Sequence, residues 1–366
     1  MKLNVSFFAS RTITWYMARL FVVRSFAVLG GLTIILMALD LLGESGDILA
    51  VPGNGDAQLW YYVSLRLPQI ISRFLPFSVL LGTLITLATM NQNSEIISMK
   101  AAGISAHQIL APLIIASIGI ACLSFWFNDH VVARATNVLT AWEDVNYGPI
   151  PQTHGVVNNV WVRAGEDLIH VTQVTGKGPT AVLHQVTYYD RTGDRLTAVV
   201  SGPLAVQRDG GWVMNNVRLF DVAAGTVRTV PTLTFAKGVA ADRFTLADVN
   251  ADGMSFKALN NAIGDLHAAG RPTTSLETVL WHKISGALSA VLMPLLAAVA
   301  GFGLARSGAL FVRAVIGMAL GFTYFVADNF ALAMGNIGAY PPLLAAWAPF
   351  FLFLLIGEAV LIRTEE

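Results

Sequence analysis

Arg66, Gln69 and Arg73 stand at i, i+3 and i+7, so a helix would carry them on one face. Arginine suits phosphate, because its planar guanidinium donates in pairs to two oxygens of one anion. The same pattern also fits arginines that snorkel to lipid headgroups. A second group, Glu95, Ile96, Met99 and Lys100, lies between Asn91 and His107, in a short helix expected over about 93–105. A carboxylate in the first helical turn complements the positive end of the dipole, and Gly103 is placed to stop the helix. Ile96 and Met99 share a face, and a short helix that exposes them needs cover. A groove in a partner protein or a lipid surface would both serve.

Other polar and small residues sit inside apolar runs. Asp328 lies near the edge of one, where a charge is cheaper than at a membrane's centre. It reads as a helix-end polar group or as a gate residue. Gly30-Gly31, and Gly317 with Gly321 at small-xxx-small spacing, permit close helix approach. Packing inside one bundle and packing against another chain fit them equally.

The chemistry of an enzyme is missing from the pattern. Gly176-Lys177 lacks the upstream glycine and following hydroxyl residue of a phosphate-binding loop. There is no Gly-x-Ser-x-Gly elbow and no His-Glu-x-x-His. The histidines are scattered, with His170 and His184 in strand-like segments. The single cysteine, Cys122, stands in an apolar run. No cofactor is expected in this chain, and any ATP would be hydrolysed by another. A formal net charge of zero gives no general attraction to nucleic acid.

The elements that hold these residues are mostly membrane helices. The chain is 55% hydrophobic and 13% charged, too little charge to cover a soluble domain of this size. Six stretches approach the roughly 20 apolar residues that cross a bilayer, at about 21–42, 74–90, 109–127, 284–305, 309–327 and 342–362. The first is too long for a cleavable signal and no small-residue site closes it. Lys2, Arg11, Arg19 and Arg24 precede the first span without an acid, Lys100 lies between spans two and three, and Arg306 and Arg313 lie between four and five. Arg363 follows the sixth. Basic residues mark the cytoplasmic side, so both termini are expected there.

Residues 129–271 would then form an extracytoplasmic insert between membrane halves 1–128 and 272–366. Its apolar residues alternate in short runs, as in Val160-Trp161-Val162 and Leu168-Ile169-His170-Val171, separated by turn-rich segments. Pro231 marks an edge or a bulge in the last strand. Six or more such strands suggest a sandwich or jelly roll, with Val160, Val162, Leu168, Trp212 and Val213 on its inner face. Phe256, Leu259, Ile263 and Leu266 make one face of an amphipathic helix after it.

These segments resemble the LptF/LptG family of lipopolysaccharide export permeases, and its LptG branch in particular. The likeness runs through Phe74-Leu75-Pro76 with Leu80-Leu81-Gly82, the Ser94 to Gly103 loop, and Val160-Trp161-Val162. It continues through Asp190 to Leu196, the Met254 to Gly270 helix, and Trp281-His282-Lys283-Ile284. The resemblance implies six transmembrane helices with a periplasmic β-jellyroll domain inserted between helices 3 and 4. It implies an inner-membrane ABC transporter that extracts lipopolysaccharide and passes it to a periplasmic bridge. The implied partners are an LptF-like sister permease, a dimer of an LptB-like ATPase and an LptC-like bitopic protein. Glu95, Ile96, Met99 and Lys100 become the helix that couples to the ATPase, and spans one and five become lateral gates. Arg66, Gln69, Arg73 and Arg134 become contacts to the lipid's phosphates or sugars, although Arg134 would also serve in a salt bridge to Asp129. Relatives end span one in lysines; here that stretch reads Asp40-Leu41-Leu42-Gly43-Glu44, with no base. A different class of function, a mechanotransmitting or scaffold protein that moves no lipid, would more often carry its domain between spans one and two.

Overall fold

The computed structural model describes residues 10–149, 157–176, 180–192, 195–208, 210–241, 244, 250–268, 271–301 and 310–365. Lys2, Lys177 and Arg306 lie outside them. The chain divides into two compact units. One comprises Met1–Ile150, Ala251–His267 and Arg271–Glu366; the other is Pro151–Asn250 with Ala268–Gly270.

The first unit is helical, with six helices long and apolar enough to cross a membrane. Helix α1 (Arg11–Ala50) has 40 residues and α2 (Asp56–Gln92) has 37. At 1.5 Å per residue each is roughly 55–60 Å long, about twice a bilayer's hydrocarbon core. Both therefore run well past their apolar stretches. Buried Met17 and Phe21 in α1 and Tyr62 in α2 hold those extensions by packing. Pro68 and Pro76 lie inside α2. The hydroxyls of Ser78, Thr83 and Thr86 donate back to the carbonyls four residues earlier, satisfying the helix internally as lipid demands.

The short α3 (Glu95–Ala101) precedes α4 (Ala106–Phe127), which Ser105 caps through the Gln108 N–H. Helix α4 does not end where its apolar run does. A π turn at Asn128–Val132 carries it on into α5 (Ala133–Glu143), so the third span and its extension are one element. The first residues assigned above to the insert are thus membrane-unit helix. Val132, Ala133, Ala135, Leu139 and Trp142 are its buried face. At the π turn Asn128 donates to Ser72 of α2 at 2.6 Å. The amphipathic helix α6 (Phe256–Ala268) also packs within this unit. The Asp129 carboxylate accepts the Phe256 N–H, and the rings of Phe125 and Phe256 meet edge to face. Helices α7 (Thr274–Gly301), α8 (Leu310–Asn336) and α9 (Pro342–Glu365) complete the bundle.

The second unit is a six-stranded antiparallel sheet between the third and fourth spans, its strands paired in chain order as a meander. They are β1 (Val157–Ala164), β2 (Asp167–Thr175), β3 (Val182–Thr192), β4 (Arg195–Arg208), β5 (Gly211–Asp221) and β6 (Thr226–Phe235). Among the described strands the order has no crossover of the Greek-key kind. Pairing lapses along one line, at Thr172, Gln185, Pro203, Asn216 and Pro231. Both prolines lack the donor that pairing needs, and Gln185 and Asn216 have φ of 48° and 51°. Across this crease the inward alternation flips: Val171 and Val174, Leu183 and Val186, and Met214 and Val217 all face the core. Such a line of interruptions bends a sheet over its apolar face. Trp212 fills the fold, its indole N–H donating to the Val239 carbonyl at 2.9 Å and its ring meeting Phe244. Val160, Val162 and Trp212 are core, as expected. Leu168 and Val213 are not: their neighbours Ile169 and Met214 point inward, and alternation sends them to the opposite face. Tyr188 donates to Asp167 at 2.7 Å, and burial with that carboxylate pushes its phenol well above the ordinary range.

Candidate functional site

Two polar regions of the helical unit carry the side chains singled out by sequence. The first lies where α1, α2 and α5 meet near the α1–α2 turn. Met37, Ile48, Tyr62, Ile70, Leu139, Trp142 and Tyr147 form an apolar cluster there. Trp142 contacts Tyr61 and Tyr147 edge to face, and Asn54 bridges the Ile48 and Tyr147 carbonyls at 2.9 Å each. This cluster fixes the polar residues beside it.

Arg66 does not present an open fork. Its Nε lies 3.1 Å from both Asp40 carboxylate oxygens, its Nη2 2.9 Å from Oδ1, and its Nη1 donates to Gln69 Oε1 at 2.9 Å. Tyr62 donates to Asp40 Oδ2 at 2.7 Å. The two side chains of the pair are 34% and 21% exposed, so solvent screens it only in part. Arg66 and Gln69 thus share one face of α2, as their spacing predicts, but the face is occupied by α1. Arg73 is exposed, and no hydrogen bond or ion pair engages it among the described residues. The same holds for Arg134 on α5, whose alternative partner Asp129 is taken up by Phe256 and His130. The surroundings are acidic. Glu44 accepts from Tyr147 at 2.7 Å. Glu143 is within electrostatic reach of Arg66, Glu44, Asp144 and Asp40. Burial, then Glu44, pushes the Tyr147 phenol well above its ordinary range.

The second region is α3. Glu95 does occupy its first turn, and Gly103, at φ 83°, ends it. The apolar face is turned the other way from the one expected. Ile96 is 4% exposed and belongs to the bundle core, and Met99 packs against that core. The outward apolar side chain is Ile97, 51% exposed, beside Ser98 and Lys100. The reason is the α2–α3 turn: a short helix tethered at both ends must bury one stripe on its own bundle. Glu95 accepts a hydrogen bond from Tyr16 of α1 at 3.3 Å.

The glycines separate cleanly. Nothing lies within 4 Å of a Cβ built on Gly30 or Gly31, which are exposed on α1. A Cβ on Gly321 would meet Leu80 Cδ2 at 2.2 Å, so this glycine serves packing of α8 on α2 within the chain. Gly317 is buried on the same helix. Asp328 is neither solvent-facing nor at a helix end: it is 8% exposed and lies 3.0 Å from His282 Nε2 on α7. Sequence reasoning missed this pair, along with Asp40–Arg66–Tyr62 and Glu44–Tyr147. The only available signal was the presence of ionisable groups in or beside apolar runs. Among the described residues, no three His, Cys, Asp or Glu side chains are placed to hold a metal ion.

Chains built this way have known counterparts. LptG of Escherichia coli, a lipopolysaccharide export system permease protein, is 23% identical over 310 residues, covering 82% of this chain and 84% of its own. LptG of Haemophilus influenzae is 23% identical over 353 residues, covering 93% and 97%. The model of the family described as lipopolysaccharide export system permease LptF/LptG matches residues 15–363, from the first span through the sheet to the last. With spans, inserted sheet and sequence in agreement over that length, the chain belongs to the LptF/LptG family of lipopolysaccharide export permeases.

Proposed function

We propose that this chain is one of two membrane subunits of an ABC transporter that extracts lipopolysaccharide from the inner membrane's outer leaflet and hands it to a periplasmic bridge. The observation that best supports this is a folded β-sheet unit carried between the third and fourth of six apolar spans, on a chain of this family. Extraction needs a bundle to admit the lipid and a unit outside the bilayer to shelter acyl chains from water. Arg11, Arg19 and Arg24 before or early in span one, and Arg363 after span six, favour cytoplasmic termini and a periplasmic sheet. ATP is hydrolysed by an LptB-like dimer. An LptF-like sister permease and an LptC-like bitopic protein complete the machine, and this chain holds no cofactor.

In this reading Arg73 and Arg134 are the lipid's first phosphate contacts, and Arg66 with Gln69 is a further, internally satisfied one. Glu95, Ile97 and Lys100 face the ATPase, while Ile96 and Met99 seat the helix. Gly30 and Gly31 are open to the sister subunit, and Asp328 braces α8. Photocrosslinkers at positions 73 and 134 and on the sheet's inner face, in proteoliposomes of the whole complex, test it. Lipopolysaccharide adducts are expected at 73 and 134 without ATP and at the sheet only with ATP. Arg134→Glu should lower transfer roughly tenfold, the loss of one charge-assisted contact. Glycolipid adducts at none of the positions overturn the proposal.

A further inference from the structure

We propose that Asp40 is a specificity-determining residue. Its carboxylate stands in Arg66's fork as a substitute for a lipid phosphate, and an anionic headgroup gains the paired Nε–Nη2 edge only by displacing it. This inference depends on the reading of Arg66 as a phosphate contact. A carboxylate and a phosphate compete for the same planar, paired donors. Asp40 fills the Nε–Nη2 edge of the guanidinium, and Gln69 takes one Nη1 N–H, so the paired edge best suited to a phosphate is already occupied. The occupant is itself held: Tyr62, 1% exposed, donates its hydroxyl to the same carboxylate.

Asp40 lies on α1 and Arg66 on α2, so exchange requires the two helices to part locally. It also requires Asp40 to leave its cation while Glu44 and Glu143 stand near. An uncharged headgroup offers nothing to offset that. A phosphate monoester, carrying about −1.5 to −2, outbids a single carboxylate for the guanidinium. The consequence is a pair whose own charges cancel at rest, in acidic surroundings, and whose preference for phosphate is muted by its own acid.

The test uses the chain with its co-purifying subunits in nanodiscs. The probes are bisphosphorylated lipid A and the same lipid dephosphorylated, and the quantity read is the ratio of their Kd values. Asp40→Asn should raise the preference for the phosphorylated lipid roughly tenfold, the scale of one freed charge-assisted pair. Asp40→Glu should leave it near wild type. Tyr62→Phe, which only loosens the carboxylate, should raise it in the same direction by roughly threefold, as for one neutral hydrogen bond. Arg66→Gln added to Asp40→Asn should cancel the gain. If Asp40→Asn and Tyr62→Phe leave the ratio unchanged while Arg66→Gln lowers it, Arg66 binds phosphate and Asp40 plays no part; the inference is overturned and the phosphate reading survives. If Arg66→Gln changes the ratio in neither background, no phosphate meets Arg66 and both fall.

Discussion

Gly82 is where the bundle tolerates least. A Cβ there would lie 2.2 Å from Ser25 Oγ, 2.6 Å from Ser25 Cα and 2.7 Å from its backbone nitrogen. Carbon atoms rest at about 3.5–4 Å, so Gly82→Ala must push α1 and α2 apart by about 1 Å. Overpacking of this kind costs about 1–3 kcal/mol, and a backbone obstacle that cannot rotate away sets the upper figure. Alanine recovers roughly 0.5–1 kcal/mol over glycine inside a helix, leaving a net loss of about 2 kcal/mol. Reversible unfolding in mild detergent, followed by the helical signal, measures it. Ser25→Gly should rescue only in part, since it removes the hydroxyl and leaves the Cα and nitrogen in place. Gly321→Ala makes the contrast: its obstacle is the tip of Leu80, so in a Leu80→Ala background, itself destabilised, Gly321→Ala should add little further loss. Gly30→Ala, with open space around it, should be neutral or slightly stabilising. A Gly82→Ala protein as stable as wild type, or one fully restored by Ser25→Gly, would mean that α1 and α2 do not touch through their backbones.

His282→Ala and Asp328→Ala should each destabilise by about 3 kcal/mol, because each strands a polar partner at a buried site. The double variant should fall short of their sum by about 1.5 kcal/mol, and strict additivity in the cycle would show that the pair is not coupled. Ile96→Asp should disrupt the bundle, whereas Ile97→Asp should leave its unfolding unchanged and lower the ATPase activity coupled to transport; equal effects on folding would reverse our assignment of the α3 faces. Trp212→Ala should cost the sheet unit about 3–5 kcal/mol, read as faster proteolysis within residues 157–241 of the full chain.

Much of this architecture was legible from hydropathy alone, and the exceptions share a cause. Lipid imposes a composition on every residue it touches, so six spans stand out whatever the tertiary packing. Where lipid ends, the composition stops reporting and the helices do not. Helices α1, α2 and α5 continue because Met17, Phe21, Tyr62, Leu139 and Trp142 bury themselves against neighbours, a fact of packing rather than of local pattern. The same holds for the site. The spacing of Arg66 and Gln69 correctly put them on one helix face. It could not say that Asp40, 26 residues away, closes on that face. Nor could it join His282 to Asp328 across 46 residues. In the sheet, Pro231 correctly signalled an interruption. That the crease crosses most of the sheet, and that Leu168 and Val213 look outward beside inward Ile169 and Met214, depends on register, where one residue of slip reverses every face.

On the proposed function, the polar ends of the long helices suit ion exchange for an energetic reason. An ion pair at mid-bilayer needs a partner and a dry fit; near a span's end it can be partly wet, and its exchange with another ion becomes affordable. Arg66–Asp40, 34% and 21% exposed, meets that condition somewhat better than His282–Asp328, at 29% and 12%. On our proposal the first pair is the one traded for a ligand's charge. The carboxylate of Asp40 thus gives Arg66 a default occupant and, on the same proposal, makes the separation of α1 from α2 the step that a lipid's phosphate must drive.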